Sequence, residues 1–331
     1  MDQEKRTNAA SSDLELDRKT MKSLLKRSDR PGLIWLAKWL LLLAVTGYLL
    51  HLSMGSYWLI PALIVYGTVL TLPMYAMSHE CAHGTAFRSR WLNEAMFWIS
   101  SLIYIEEPLL RRYAHASHHT YTAIDGLDGQ QVFGTASTFT KWLKEFSGAG
   151  QYLYESKMLI TNALGRFDAE VLRYTPVDEL PRLKRNARIF LLIYLGGGLA
   201  AWYFAAIWVW WYLLLPRLVG GPIMIQITLI QHAESERNVY DLRQSTRSSK
   251  SNAIGEFLYM NMNYHIEHHA HSGVPFHALP ELNRQLQDRL PTPDPGMLQV
   301  GFELTWVCIK RSLGLNTRAP SIRQGSTMLG S

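Results

Sequence analysis

Residues 57–83 read YWLIPALIVYGTVLTLPMYAMSHECAH. The first 21 of them carry no charge and are long enough to cross a hydrocarbon core of about 30 Å as a helix. Two residues later come His79 and His83, four apart, a spacing that puts both rings on one helical face. One stretch thus predicts a membrane crossing that ends in metal-binding side chains. The same pairing of features recurs along the chain. His115-Ala116-Ser117-His118-His119 and His265-Ile266-Glu267-His268-His269 have helical three/four spacing, and eight of the 12 histidines fall in these three groups. Neutral imidazole binds iron, copper, zinc and nickel. Eight exceed the four ligands of a tetrahedral zinc, so the count points to two metal ions.

Working outward, residues 33–52 (LIWLAKWLLLLAVTGYLLHL) form a second spanning candidate, with Lys38 near enough to one end to snorkel. Gly55-Ser56 makes the turn between the two. Residues 188–207 and 208–230 read as another spanning hairpin, the last span interrupted by Pro216, Gly220, Gly221 and Pro222. Residues 91–110 are apolar but hold Glu94, Glu106 and Glu107, so an interfacial helix fits them better than a span. The predicted architecture is all-α: an integral membrane protein of four transmembrane helices, an interfacial helix and a cytosolic helical cap. Residues 1–30 are a polar N-terminal arm, a mobile arm or a surface helix. Residues 31–290 are the membrane domain, its cap made of 78–187 and 231–290. Residues 291–331 are a cytosolic tail with an amphipathic run near 300–312, and 318–331 are expected to be disordered.

Lys and Arg number nine in residues 1–38, ten in 111–187 and ten in 231–331, with none in the turns near 53–56 and 206–210. That asymmetry places both termini and all three histidine groups in the cytoplasm. The N-terminus lacks an apolar run before a small-residue cleavage site, so no cleaved signal peptide is expected. Net charge is +6 and the sequence pI about 9.2. The positive residues are dispersed rather than set in one basic motif, which speaks against nucleic acid and for a membrane surface or an acidic redox partner. Mean hydropathy, −0.05, averages very apolar and very polar segments. Cys81 and Cys308 are the only cysteines, too few for a disulfide framework, a four-cysteine zinc site or a cysteine-ligated iron–sulfur cluster.

The order HxxxH, HxxHH, HxxHH resembles the membrane fatty acid desaturase and hydroxylase family over roughly residues 60–290. The likeness extends to Asn263-Tyr264 before the third box and to Val274-Pro275 through Leu279-Pro280 after it. It implies nine metal ligands: His79, His83, His115, His118, His119, His265, His268, His269 and, after the last span, His232. It also implies two Fe2+ ions, dioxygen as co-substrate and a hydrophobic or acyl substrate taken from membrane lipid. Removing hydrogen from an unactivated carbon needs a strong oxidant made from dioxygen and reduced iron, which redox-inert zinc cannot supply. Ligating histidines usually donate their second N–H to a carboxylate or carbonyl. Glu80, Glu267, Asp125, Asp128 and Glu234 are candidates for that role, and Asn263 for orienting a water or ligand. No fused heme domain or GxGxxG fingerprint is present, so a separate ferredoxin or cytochrome with its reductase is implied as electron donor.

Two other enzymes stand beside a desaturase, and a third possibility is a metal-storing or metal-sensing membrane protein with no turnover. A hydroxylase or oxygenase would use the same metals on a lipid or a small non-acyl metabolite. A membrane zinc metalloprotease would read His79-Glu80-Cys81-Ala82-His83 as HExxH, leaving the other boxes unexplained. Arg217, about halfway along the fourth span, is a functional candidate by its cost in lipid. It is expected either to pair with Glu106 or Glu107, to hold a substrate acid group, or to mark a displaced span boundary. His51 falls on the far side of the membrane, and His271 and His277 are off the third box's spacing.

Overall fold

The computed structural model describes residues 13–130 and 139–315. Their regular structure is helical, with an isolated bridge between Ser249 and Asp294. The helices that carry the argument are α1 (Asp29–Leu52), α2 (Leu59–His83), α3 (Arg90–Tyr104), α4 (Pro108–Thr120), α5 (Ala149–Leu164) and α6 (Leu180–Tyr203). They are followed by α7 (Ile207–Leu229), α8 (His265–Ala270) and α9 (Met297–Ser312). Three of them, α1, α2 and α7, are long and apolar enough to cross a membrane. They cover the predicted span 33–52, all but Tyr57 and Trp58 of 57–77, and all but Ile230 of 208–230. The remaining expected span, 188–207, falls largely in α6. That helix begins at Leu180, with Pro181 in its first turn, and its opening half carries Arg182, Lys184, Arg185 and Arg188. α6 is not among the three.

The chain divides into two compact units. One comprises residues 27–115 and 145–225, the other the described parts of 1–26, 116–144 and 226–331. In the first, prolines inside α2 and α7 cost backbone hydrogen bonds, and side chains from neighbouring helices take up two of the freed carbonyls. Pro73 cannot donate to Val69 O four residues earlier, and the Trp39 indole donates to that oxygen instead, at 2.8 Å. Pro216 likewise leaves Tyr212 O, within the π-helical turn Trp210–Leu214 near the start of α7, to accept from the Tyr66 hydroxyl at 3.2 Å. The crossing of α2 and α7 is backbone on backbone. A Cβ on Gly220 would stand 2.0 Å from the carbonyl carbon of Gly67, so only glycine permits the approach.

The segment expected as one interfacial helix, 91–110, is instead α3, a left-handed break at Ile105 (φ 66°) and the start of α4. Glu106 and Glu107 sit in the connection and are buried in protein. Glu106 faces Arg111 at 3.2 Å. Glu107 accepts from Asn186 Nδ2 at 2.8 Å and from the Leu110 amide at 2.6 Å. Arg217 therefore pairs with neither. Its guanidinium lies over the Tyr152 ring, 5.9 Å from the centroid, and its Nη2 is buried without a hydrogen-bond partner.

In the second unit, part of the expected polar arm is docked. A short helix, Arg18–Leu24, is capped by Asp17, which accepts from the amides of Lys19 and Thr20 at 2.9 and 3.1 Å. It buries Leu24 against Val274, Leu279, Leu282 and Leu286. The amphipathic run expected near 300–312 is the helix α9. The tail expected to be disordered, 318–331, lies outside the described residues.

Candidate metal centre

In the unit of residues 27–115 and 145–225, α2 runs without a break from its apolar stretch through the first box. Gly84 stops it immediately after His83, taking the left-handed conformation (φ 66°). Its amide and that of Thr85 return to Cys81 O and Glu80 O at 3.0 and 3.1 Å, a helix end that favours glycine. His79 and His83 share one face of α2, and α4 adds His115. The His79 ring is 4.3 Å from His115 and 5.3 Å from His83, centroid to centroid. His83 Nε2 is 2.9 Å from His115 Nε2.

The unit holding residues 116–144 and 226–331 gathers the other six predicted ligands. His265 Nε2 lies 3.1 Å from His232 Nε2 and 3.2 Å from His269 Nε2. The potential ligand atoms of His118, His232 and His269 all lie within 4.8 Å of one another. His119 stacks on His269 at 4.1 Å and meets His268 edge-on at 4.8 Å. Nitrogens bound to one metal at about 2.1 Å stand roughly 3 Å apart, so these spacings suit metal ligation. The grouped donors are all imidazole, which suits iron, copper, nickel or zinc.

Outer contacts set the orientation of several rings. His118 Nδ1 faces both Asp128 oxygens, at 2.9 and 3.0 Å, and Asp128 is itself held by the amides of Ala123 and Gln130 at 2.9 and 2.8 Å. His232 Nδ1 is 3.1 Å from Ser245 O, an acceptor only, so it donates and leaves Nε2 for a metal. Thr122 Oγ1 donates to His118 O at 2.8 Å and sits 3.1 Å from His269 Nδ1, fixing the same tautomer there. Desolvation, with His118 adding to it, holds His232 near a pKa of about 3. Burial, then His119 and His265, keep His269 well below the usual histidine value. Both rings are neutral at physiological pH and keep a lone pair for a metal.

The other predicted acids have different partners. Glu267 is fully buried and accepts from Ser248 Oγ at 2.6 Å and from the Asn283 amide; burial raises its pKa. Glu80 accepts from Thr85 Oγ1 at 2.8 Å. Glu234 makes a two-pronged ion pair with Arg311 at 2.9 and 3.0 Å. Asp125 is exposed and bound to Arg237 and Asn238 rather than to a histidine. Asn263 is buried and donates to Ser249 O at 3.2 Å. His271 reaches Leu14 O at 2.8 Å. Ser245, Thr122, Ser248 and Asn283 were not foreseen from the sequence. Only Thr122, one helical turn after His118, left a signal there.

A family model described as fatty acid desaturase matches residues 56–301. The chain is 24% identical over 276 residues to the sn-1 oleoyl-lipid 12-desaturase of Arthrospira platensis, covering 74% of this chain and 70% of that one. It is 22% identical over 287 residues to the Delta(12) fatty acid desaturase of Mortierella isabellina, with 72% and 69% covered. The Delta(12) fatty acid desaturase of Mortierella alpina matches at the same identity and coverage.

Proposed function

Because the chain belongs to the fatty acid desaturase family, we propose that it is a membrane-bound, oxygen-dependent di-iron desaturase that introduces a double bond into an acyl chain. The observation that carries this reading is the donor set. Imidazoles of all three boxes, with His232, stand in groups whose nitrogens approach to about 3 Å. The ligands are His79, His83, His115, His118, His119, His232, His265, His268 and His269, and together they hold two iron ions.

Bound iron supplies the reductive activation of dioxygen that an unactivated C–H bond requires. The chain's own groups keep the ligands in register. Asp128 holds His118, Ser245 O holds His232 and Thr122 holds His269, each fixing the proton on Nδ1 so that Nε2 faces inward. In the overall reaction, –CH2–CH2– with O2, two electrons and two protons gives –CH=CH– and two waters. The electrons come from a separate ferredoxin or cytochrome with its reductase, docking on basic residues of the cytoplasmic side. We place four spans in the membrane, α6 being the fourth, with both termini and the metal site cytoplasmic. The zinc-protease reading leaves the second and third boxes without a role.

Expression in a host lacking the activity, followed by mass spectrometry of fatty acyl chains, tests the proposal. A new double bond that depends on oxygen and reductant is the expected product. Label from 18O2 retained in the acyl product would replace desaturation by hydroxylation.

A further inference from the structure

The helix α9 is apolar on two sides. Met297, Val300, Leu304, Val307 and Cys308 are buried on one of them. On the other, Leu298, Phe302 and Trp306, spaced four apart, are 59%, 75% and 57% exposed, and Leu313 beyond the helix is 73% exposed. At 100° per residue the exposed row covers an arc of roughly 80°. Gln299, Glu303 and Lys310 border it, and Lys310 Nζ lies over the Trp306 ring, 5.5 Å from its centroid. Water does not favour such a face; a helix on the surface of a soluble domain turns polar groups there.

The helix is also fixed at a telling depth. Gln226, in the last turn of α7, donates its amide to Gly301 O at 2.9 Å, in the middle of the buried side of α9. Unlike α2, α7 ends on its apolar stretch, with no charged residue from Leu218 to Leu229, so its last turn lies where acyl chains give way to headgroups. Tryptophan and a neighbouring lysine are the side chains that settle at that boundary.

We propose that α9 lies in the membrane interface, with Leu298, Phe302, Trp306 and Leu313 facing the acyl boundary and Lys310 reaching the headgroups. Its partner is the lipid bilayer, and the segment is a monotopic anchor rather than a free cytosolic tail. The inference rests on the membrane context of the family and not on the metal ligands, and its test does not use activity.

Spin labels at Phe302→Cys and Trp306→Cys, in the full chain reconstituted in phosphatidylcholine–phosphatidylglycerol vesicles, report depth by collision with oxygen against a water-soluble nickel chelate. Asp288→Cys, on an exposed polar position, is the aqueous reference. Native Cys81 and Cys308 are buried, and the parent protein taken through labelling serves as the blank. Oxygen collisions should exceed those with nickel at 302 and 306, and the order should reverse at 288. Matching ratios at all three sites would overturn the proposal. So would exclusion of both reagents at 302 and 306, which would mean that protein covers the face. Tryptophan emission quenched by brominated lipid gives a label-free check. Trp306→Phe should lose part of the emission that brominated lipid quenches, and an equal quenched emission per mole in variant and parent would count against lipid contact.

Discussion

Glu107→Gln isolates the cost of burying a carboxylate beside the helix that carries the second box. Glu107 is 2% exposed, and burial pushes its pKa from 4.5 up to about 7, against the opposing pull of the Leu110 amide and Asn186. Between those two values the folded chain holds a proton that the unfolded chain has released, so stability falls as pH rises through the window and levels off above it. The contribution is fully present below pH 4.5. From pH 5 to pH 8 the loss comes to roughly 2–3 kcal/mol. Glutamine keeps the shape and cannot ionise, and any hydrogen bond it forms less well is a constant offset. The variant should therefore gain on the parent by that amount as pH goes from 5 to 8. At roughly 2–4 °C per kcal/mol for a protein of this size, the difference in Tm between variant and parent should widen by roughly 5–10 °C. Thermal unfolding of both proteins in the same detergent at the two pH values measures it. A difference that stays constant with pH would refute the desolvation argument.

Asp128→Asn should leave the fold intact and lower iron affinity about 10–100-fold, since the amide no longer fixes His118 with charge; equilibrium iron binding against a chelator checks this. Gly220→Ala forces apart a backbone crossing and should cost at least about 2 kcal/mol, read as a lower Tm. Gly197→Ala, which meets open space on α6, should cost nothing. Arg217→Met removes a buried Nη2 that lacks a hydrogen-bond partner, and stability should hold or rise; a large loss would show that the guanidinium is structurally engaged. In the iron-free protein, His232→Gln should gain stability relative to the parent on acidification below pH 6.5. The unfolded parent then binds a proton where buried His232, with a pKa of about 3, stays neutral, and taking the difference removes the opposite drift of Glu107. A Tm difference between the two that stays flat from pH 7 to 5 would contradict that.

The sequence made the membrane helices and the boxes legible because both follow from periodicity. An uncharged run fixes α2, and a spacing of four puts His79 and His83 together on its far end. What it left obscure is contributed from a distance. The acceptor for His232 is a carbonyl thirteen residues on, at Ser245, and Glu267 is held by Ser248 and Asn283 from separate segments. A backbone oxygen has no signature among residue types. Glu106 and Glu107 were read against lipid, when Arg111 and Asn186 supply a protein environment. Glu234 and Asp125 form salt bridges to Arg311 and Arg237, partners that sequence proximity did not single out. The Gly67–Gly220 approach needed the crossing of two helices more than 140 residues apart, which no local pattern encodes.

Iron content of the anaerobically purified chain tests the central claim most directly. Two iron ions per chain are predicted, with loss of bound iron when His118 or His265 is replaced by alanine. One zinc per chain, with no iron and no change on replacing His265, would contradict the account.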